Sequence, residues 1–165
     1  MQSILKIALP VLLAGTITTA CQTVQTTHGG AVGVQRSQLM MVSAQEVEQA
    51  SSQQYQQMVA EARRKNALDR DPATVQRVRR IVSRLTAQTG AFRPDAPSWA
   101  WEVHVFSSNE LNAWCMAGGK MAIYTGLIQR LALSDDEIAA VMGHEIAHAL
   151  REHARERVSK SMATG

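Results

Sequence analysis

Aromatic side chains are scarce in this sequence. Three Trp, two Tyr and two Phe make up 4% of its 165 residues, while 45% are apolar. A core drawn from that supply is chiefly aliphatic, with methionine as filler. An excess of one charge is missing too: 17 Lys and Arg stand against 14 Asp and Glu, a net charge of +3. That balance makes no electrostatic case for a nucleic-acid partner. The basic residues cluster at Arg63, Arg64 and Lys65, and again at Arg77, Arg79, Arg80 and Arg84. Both clusters lie on predicted helices and read as solvated faces, with an anionic membrane surface as the functional alternative. There is no internal repeat, and no apolar run is long enough to cross a bilayer. The length suits one domain of modest size.

Cysteine is almost absent, and its two occurrences differ in kind. Cys21 follows a secretory signal over residues 1–20, in which Lys6 is the one charge and Ile7 to Ala14 with Ile17 form a short apolar stretch. Thr18-Thr19-Ala20-Cys21 resembles a bacterial lipobox, with Thr18 standing where leucine is usual. The expectation is that Cys21 is acylated and anchors the protein to a membrane by lipid. The rival is cleavage after Ala20, which leaves a free thiol on a soluble periplasmic protein. Gln22, not aspartate, follows the cysteine, which favours the periplasmic side of the outer membrane. With Cys21 acylated, Cys115 has no internal disulfide partner and reads as a small buried hydrophobe. Residues 21–36, rich in Thr, Gln and Gly, read as a flexible tether in which His28 is solvated. The domain is expected over residues 37–165.

Within it, Gln38 to Val42 is a short apolar run suited to a strand. Ser43-Ala44-Gln45-Glu46 is a capping box and predicts a helix to about Leu68. Asp71-Pro72 opens a second helix with Val75, Val78, Ile81, Val82 and Leu85 as its apolar stripe, stopped near Gly90. Trp99, Trp101, Val103 and Val105 alternate with more polar positions, a strand pattern that points His104 away from the apolar face and into solvent. Met121 to Tyr124 is a second strand, entered through Gly118-Gly119, and Gly126 to Leu133 is a short helix or turn. The order helix, helix, strand, strand, helix predicts an α+β domain, mostly helical, with a small antiparallel sheet beside the last helix.

That last helix carries the chemistry. Ser134 and Glu137 form its capping box, Ile138, Val141 and Met142 its core-facing stripe, and His144-Glu145-Ile146-Ala147-His148 reads H-E-x-x-H. On a helix, side chains four residues apart are separated by only ~40° around the axis and ~6 Å along it, so both imidazoles reach one ion. Zinc takes neutral imidazole nitrogen in a tetrahedral site. Glu145 stands beside the pair, placed to take a proton from water that the metal has acidified. The same three residues are ordinary on a solvated helix face. Yet burying them near the apolar part of a helix is costly without a partner, and a metal supplies one.

Asn112-Ala113-Trp114, Gly118-Gly119, Tyr124-Thr125-Gly126-Leu127 and the run Glu137 to His148 together resemble the Ste-type and HtpX-like metalloendopeptidases. That family, metallopeptidase family forty-eight, includes the mitochondrial Oma-type proteases. The lipobox and Arg36-Ser37-Gln38-Leu39 look most like its small bacterial periplasmic lipoprotein members, which take part in outer-membrane protein quality control. The resemblance implies a gluzincin with one zinc ion, His144 and His148 as ligands, Glu145 as base, and a glutamate on a later helix as third ligand. It also implies unfolded or misassembled envelope proteins as substrates.

No residue up to Gly165 matches that third glutamate. The expectation is that it lies past Gly165, together with the group that stabilises the oxyanion, and that two imidazoles alone bind zinc weakly. Glu152 and His153 are near in sequence, but a ligand on the same helix would have to bend back toward an outward-pointing pair. Asn112, Ala113 and Trp114 form a candidate edge strand for pairing with an extended substrate, with a structural turn as the alternative. Two functions are open: a zinc endopeptidase, or a non-catalytic, chaperone-like scaffold of the same fold.

Overall fold

The computed structural model describes residues 22–27 and 37–164; the signal sequence, Cys21 and His28 fall outside them. Among the described residues the domain has five helices and two small sheets. Helix α1 spans Ala44–Arg64 and α2 spans Pro72–Thr86, each started as its sequence predicts. The Ser43 hydroxyl accepts from the Glu46 amide while the Glu46 side chain reaches back to Ser43. Asp71 accepts from the amides of Ala73 and Thr74, with Pro72 in the first turn. These contacts satisfy amides that a helix start otherwise leaves unpaired. Two short 3-10 turns, Thr89–Ala91 and Ala96–Ser98, lead into the sheet.

Strands β3 (Glu102–Phe106), β4 (Ala113–Met116) and β5 (Lys120–Tyr124) form a sheet in the order β3-β5-β4. The sheet is mixed, which departs from the all-antiparallel expectation. β4 pairs antiparallel with β5, but β3 pairs with β5 in parallel, Val103 opposite Met121 and Val105 opposite Ile123. The reason is the loop 107–112. It passes over the end of β5, where Asn112 O accepts from Tyr124 N (3.0 Å) and Ser108 O from Gly126 N (2.7 Å). The chain thus returns on the far side, and β5 threads between the other two strands. Gly126 lies directly beneath this crossing: a Cβ there would come within 2.5 Å of the Asn109 and Glu110 backbone, so only glycine fits. The β4–β5 turn needs Gly118 and Gly119, whose φ values of 76° and 81° lie in the left-handed region.

Alternation along the strands divides the interior into two. Val103, Val105, Met121 and Ile123 join Val78, Ile81, Ile138, Met142 and Ile146 in the main core under α2 and α4 (Asp135–Leu150). Phe106 and Ala122, with Trp114 and Tyr124 against them, face α1 around Ala62. His104 is on this second side and is not solvated as its sequence context suggested. Its side chain is 13% exposed, with Nδ1 2.6 Å from Asp69 and Nε2 3.1 Å from Glu102. The Tyr55 ring stacks on it at 6.0 Å. The cause is α1, whose position over the sheet no local pattern announces.

Helix α3 (Thr125–Arg130) leaves β5 directly and turns the chain toward α4 (Asp135–Leu150). α5 (His153–Thr164) follows after a two-residue break. Strand β2 (Gln38–Met40) pairs antiparallel with β1 (Gln22–Val24), so the first residues assigned to a tether are a strand. Backbone partners in β2 outweigh a composition that favours disorder. The hairpin is fastened to α5 through buried Gln38, whose Nε2 donates to Arg151 O (2.8 Å) and to the Glu156 carboxylate (2.9 Å). Buried Ser159 accepts from the amide of Met41 (2.8 Å). Among the described residues no helix is long and apolar enough to cross a membrane.

Candidate active site

Helix α4 begins in the predicted capping box, the Ser134 hydroxyl accepting from the Glu137 amide and Glu137 returning to Ser134. Ile138, Met142 and Ile146 recur every four residues and are 0%, 0% and 4% exposed. Burying side chains of this size contributes about 1.5–3 kcal/mol each. That stripe fixes the rotation of the helix and turns His144 and His148 away from the core, with Glu145 at the edge of the stripe; His144 is exposed and the other two are half-buried.

The two imidazoles meet there. His144 Nε2 and His148 Nε2 are 2.9 Å apart, with the rings edge-on at 4.4 Å. A zinc ion bonds imidazole nitrogen at about 2.0–2.1 Å, so two lone pairs converging at this separation suit one ion between them. The donors fit a borderline-soft cation, and the spacing is the one the motif predicts. They make up part of a site: among the described residues no group of three His, Cys, Asp or Glu side chains is placed to hold a metal.

Glu145 faces a cleft of about 770 Å³ that runs between α4, α1 and the edge of the sheet. Trp114, Cys115 and Met116 of β4 line its opposite wall. β4 is an edge strand, paired with β5 alone among the described strands. Ala113 and Trp114 lie within it, opposite Ile123 and Ala122, while Asn112 precedes it and bonds to the start of α3 through Tyr124. Of the two alternatives for this segment, strand and turn, the strand is present from Ala113 on. Burial, reinforced by the negative charge of Glu145, pushes the Cys115 thiol well above its ordinary range.

Sequence reasoning missed the far end of α4. Glu152 and His153 are not on the same helix as His144 and His148. Glu152 takes φ 51°, in the left-handed region, and breaks the helix. His153 opens α5, and its Nδ1 sits 2.5 Å from His148 Nδ1. The break is held by charge. Arg93 donates to Leu150 O (3.2 Å) and to Glu152 (2.6 Å), and Arg155 donates to the other Glu152 oxygen (2.7 Å) and to Val42 O (2.6 Å). All three side chains are at most 16% exposed, so the pairs are little screened. Arg93 also lies 4.9 Å over the Trp99 ring. A break at glutamate, without glycine or proline, leaves no local signal.

An α+β domain that presents H-E-x-x-H on a helix across a cleft from an edge strand has the pattern that metallopeptidases use. The model of peptidase family M48 matches residues 72–164, and the chain belongs to that family. Among its relatives is the mitochondrial metalloendopeptidase OMA1 of Arabidopsis thaliana, 40% identical over 63 residues, 38% of this chain and 13% of that protein. OMA1 of Bos taurus is 27% identical over 124 residues, 75% of this chain and 23% of that protein. The metalloprotease LoiP of Escherichia coli is 24% identical over 160 residues, 97% of this chain and 59% of that protein. The chain thus spans well under a quarter of the Arabidopsis relative and somewhat over half of LoiP. No solved structure matches it. Membership of a metallopeptidase family implies a metal cofactor.

Proposed function

We propose that the protein is a zinc-dependent endopeptidase in which His144 and His148 hold the metal and Glu145 is the general base. The observation that carries this reading is the convergence of the two Nε2 atoms at 2.9 Å beside a carboxylate that faces the cleft. When bound, zinc acidifies water and polarises a carbonyl oxygen. Glu145 accepts the proton of the attacking water and delivers it to the departing amine nitrogen. The edge of β4, with Asn112, Ala113 and Trp114 at its start, holds an extended substrate by main-chain hydrogen bonds and brings its scissile bond to Glu145. Pairing of that kind reads backbone and not sequence, which suits unfolded or misassembled envelope proteins as substrates and a role in outer-membrane protein quality control.

In this reading Cys21 is acylated and the domain works at the periplasmic side of the outer membrane, with no nucleic-acid partner. Mass spectrometry of the mature amino terminus is expected to find a lipidated Cys21. An unmodified Cys21 would make the protein a soluble periplasmic one.

A second reading is a non-catalytic, chaperone-like scaffold of the same fold that binds unfolded chains without cutting them. Degradation of casein separates the two. The peptidase reading expects casein to be cleaved and a chelator to stop cleavage. Binding of casein without cleavage at any zinc concentration would leave the scaffold.

A further inference from the structure

We infer that His153 is a positioning residue for His148: it accepts the hydrogen bond that fixes which nitrogen of His148 faces the metal. The inference rests on the metal reading of His144 and His148. It comes from the far side of the His148 ring. Nε2 is directed at His144, and Nδ1 lies 2.5 Å from His153 Nδ1, with ring centroids 4.8 Å apart.

A neutral imidazole carries one proton. If Nε2 gives its lone pair to a metal, that proton is on Nδ1, and Nδ1 must donate it. The partner within reach is the Nδ1 lone pair of His153. Metal-bound histidines generally donate their second nitrogen to a carboxylate, a carbonyl or water, and this contact fixes tautomer and ring orientation. Here an imidazole from the next helix takes that place. Because it contacts the nitrogen opposite the metal side, His153 acts through His148 and is not itself the missing ligand.

The surrounding architecture is built to present it. His153 would continue away along α4 if the helix ran on. The left-handed Glu152 turns the chain, and Arg93 and Arg155 grip its two carboxylate oxygens from the 3-10 region and from α5. Arg93 also takes up the Leu150 carbonyl left open at the end of α4. A left-handed non-glycine residue is strained, and it persists where its surroundings over-determine it. A three-residue ion network of low exposure supplies that constraint.

The test is zinc affinity, measured by competition with a chromophoric chelator on the purified protein and its variants. His153→Ala is expected to weaken zinc binding by about 10–100-fold, the usual effect of removing an outer partner. His153→Asn, whose side-chain oxygen falls where Nδ1 stands, should recover most of that loss. His153→Gln, whose amide falls at the position of Nε2, should not. A role in packing alone would leave all three variants alike, and a wild-type affinity in His153→Ala would overturn the inference outright. Complete loss of zinc in both the Ala and the Asn variant would overturn it in another way, by making His153 a ligand. If a His144→Ala, His148→Ala double variant binds zinc as the wild type does, the metal reading itself has failed, and this inference with it.

Discussion

Zinc bound to the purified protein is expected to fall to background when His144 and His148 are both replaced by alanine. The two Nε2 atoms converge at 2.9 Å, so each imidazole supplies one of the two lone pairs that the described residues bring together here. Either single change should weaken binding by more than the ten- to hundredfold that loss of an outer partner costs. Unfolding is not the expected cause. Helix α4 is held by Ile138, Met142 and Ile146 on the opposite side, each at most 4% exposed, and alanine is the best helix former. Elemental analysis of the double variant, with circular dichroism to show that the fold is kept, decides the matter. A zinc content equal to that of the wild type would mean that the metal lies elsewhere or is absent.

How much of this was legible in the sequence depends on how far apart the interacting residues are. The capping boxes at Ser43 and Ser134 and the Asp71-Pro72 start are contacts within three residues, and all three form as read. The stripe of Ile138 and Met142 is periodic, so the direction in which His144 and His148 point followed from it. What failed was non-local. The parallel pairing of β3 with β5 depends on where the loop 107–112 crosses, and Gly126 marked that crossing only once the strands were placed. His104 was assigned to solvent because α1 had no predicted place over the sheet. β1 lay in a stretch whose composition favours a tether, and its pairing with β2 is across thirteen or more residues. Glu152 broke its helix without glycine, through Arg93 some 59 positions away, so the approach of His153 to His148 had no sequence signature. The placement of His144 and His148 together was therefore readable, and the support of that pair was not.

Glu145→Gln is expected to leave zinc bound and to remove cleavage. The side chain is half-buried at the wall of the cleft, facing β4, and it is not one of the groups that converge on the metal position. Glutamine keeps its size and its place on the helix. It has no oxygen basic enough to take a proton from water, and it cannot return one to the leaving amine. General acid–base catalysis by a placed side chain contributes about 10²–10⁴-fold. The expected fall in kcat on casein is of that order, which corresponds to roughly 3–5 kcal/mol of barrier. KM should change little, because in the proposed reading the substrate is held along β4, which the change does not touch. The measurement is made on protein whose wild-type form degrades casein, with zinc content determined in the same samples. A Gln variant that cleaves near the wild-type rate would remove Glu145 from the reaction. If the variant instead lost zinc along with activity, Glu145 would be acting on the metal position and not on the proton, and the base would have to be sought among the other groups that line the cleft.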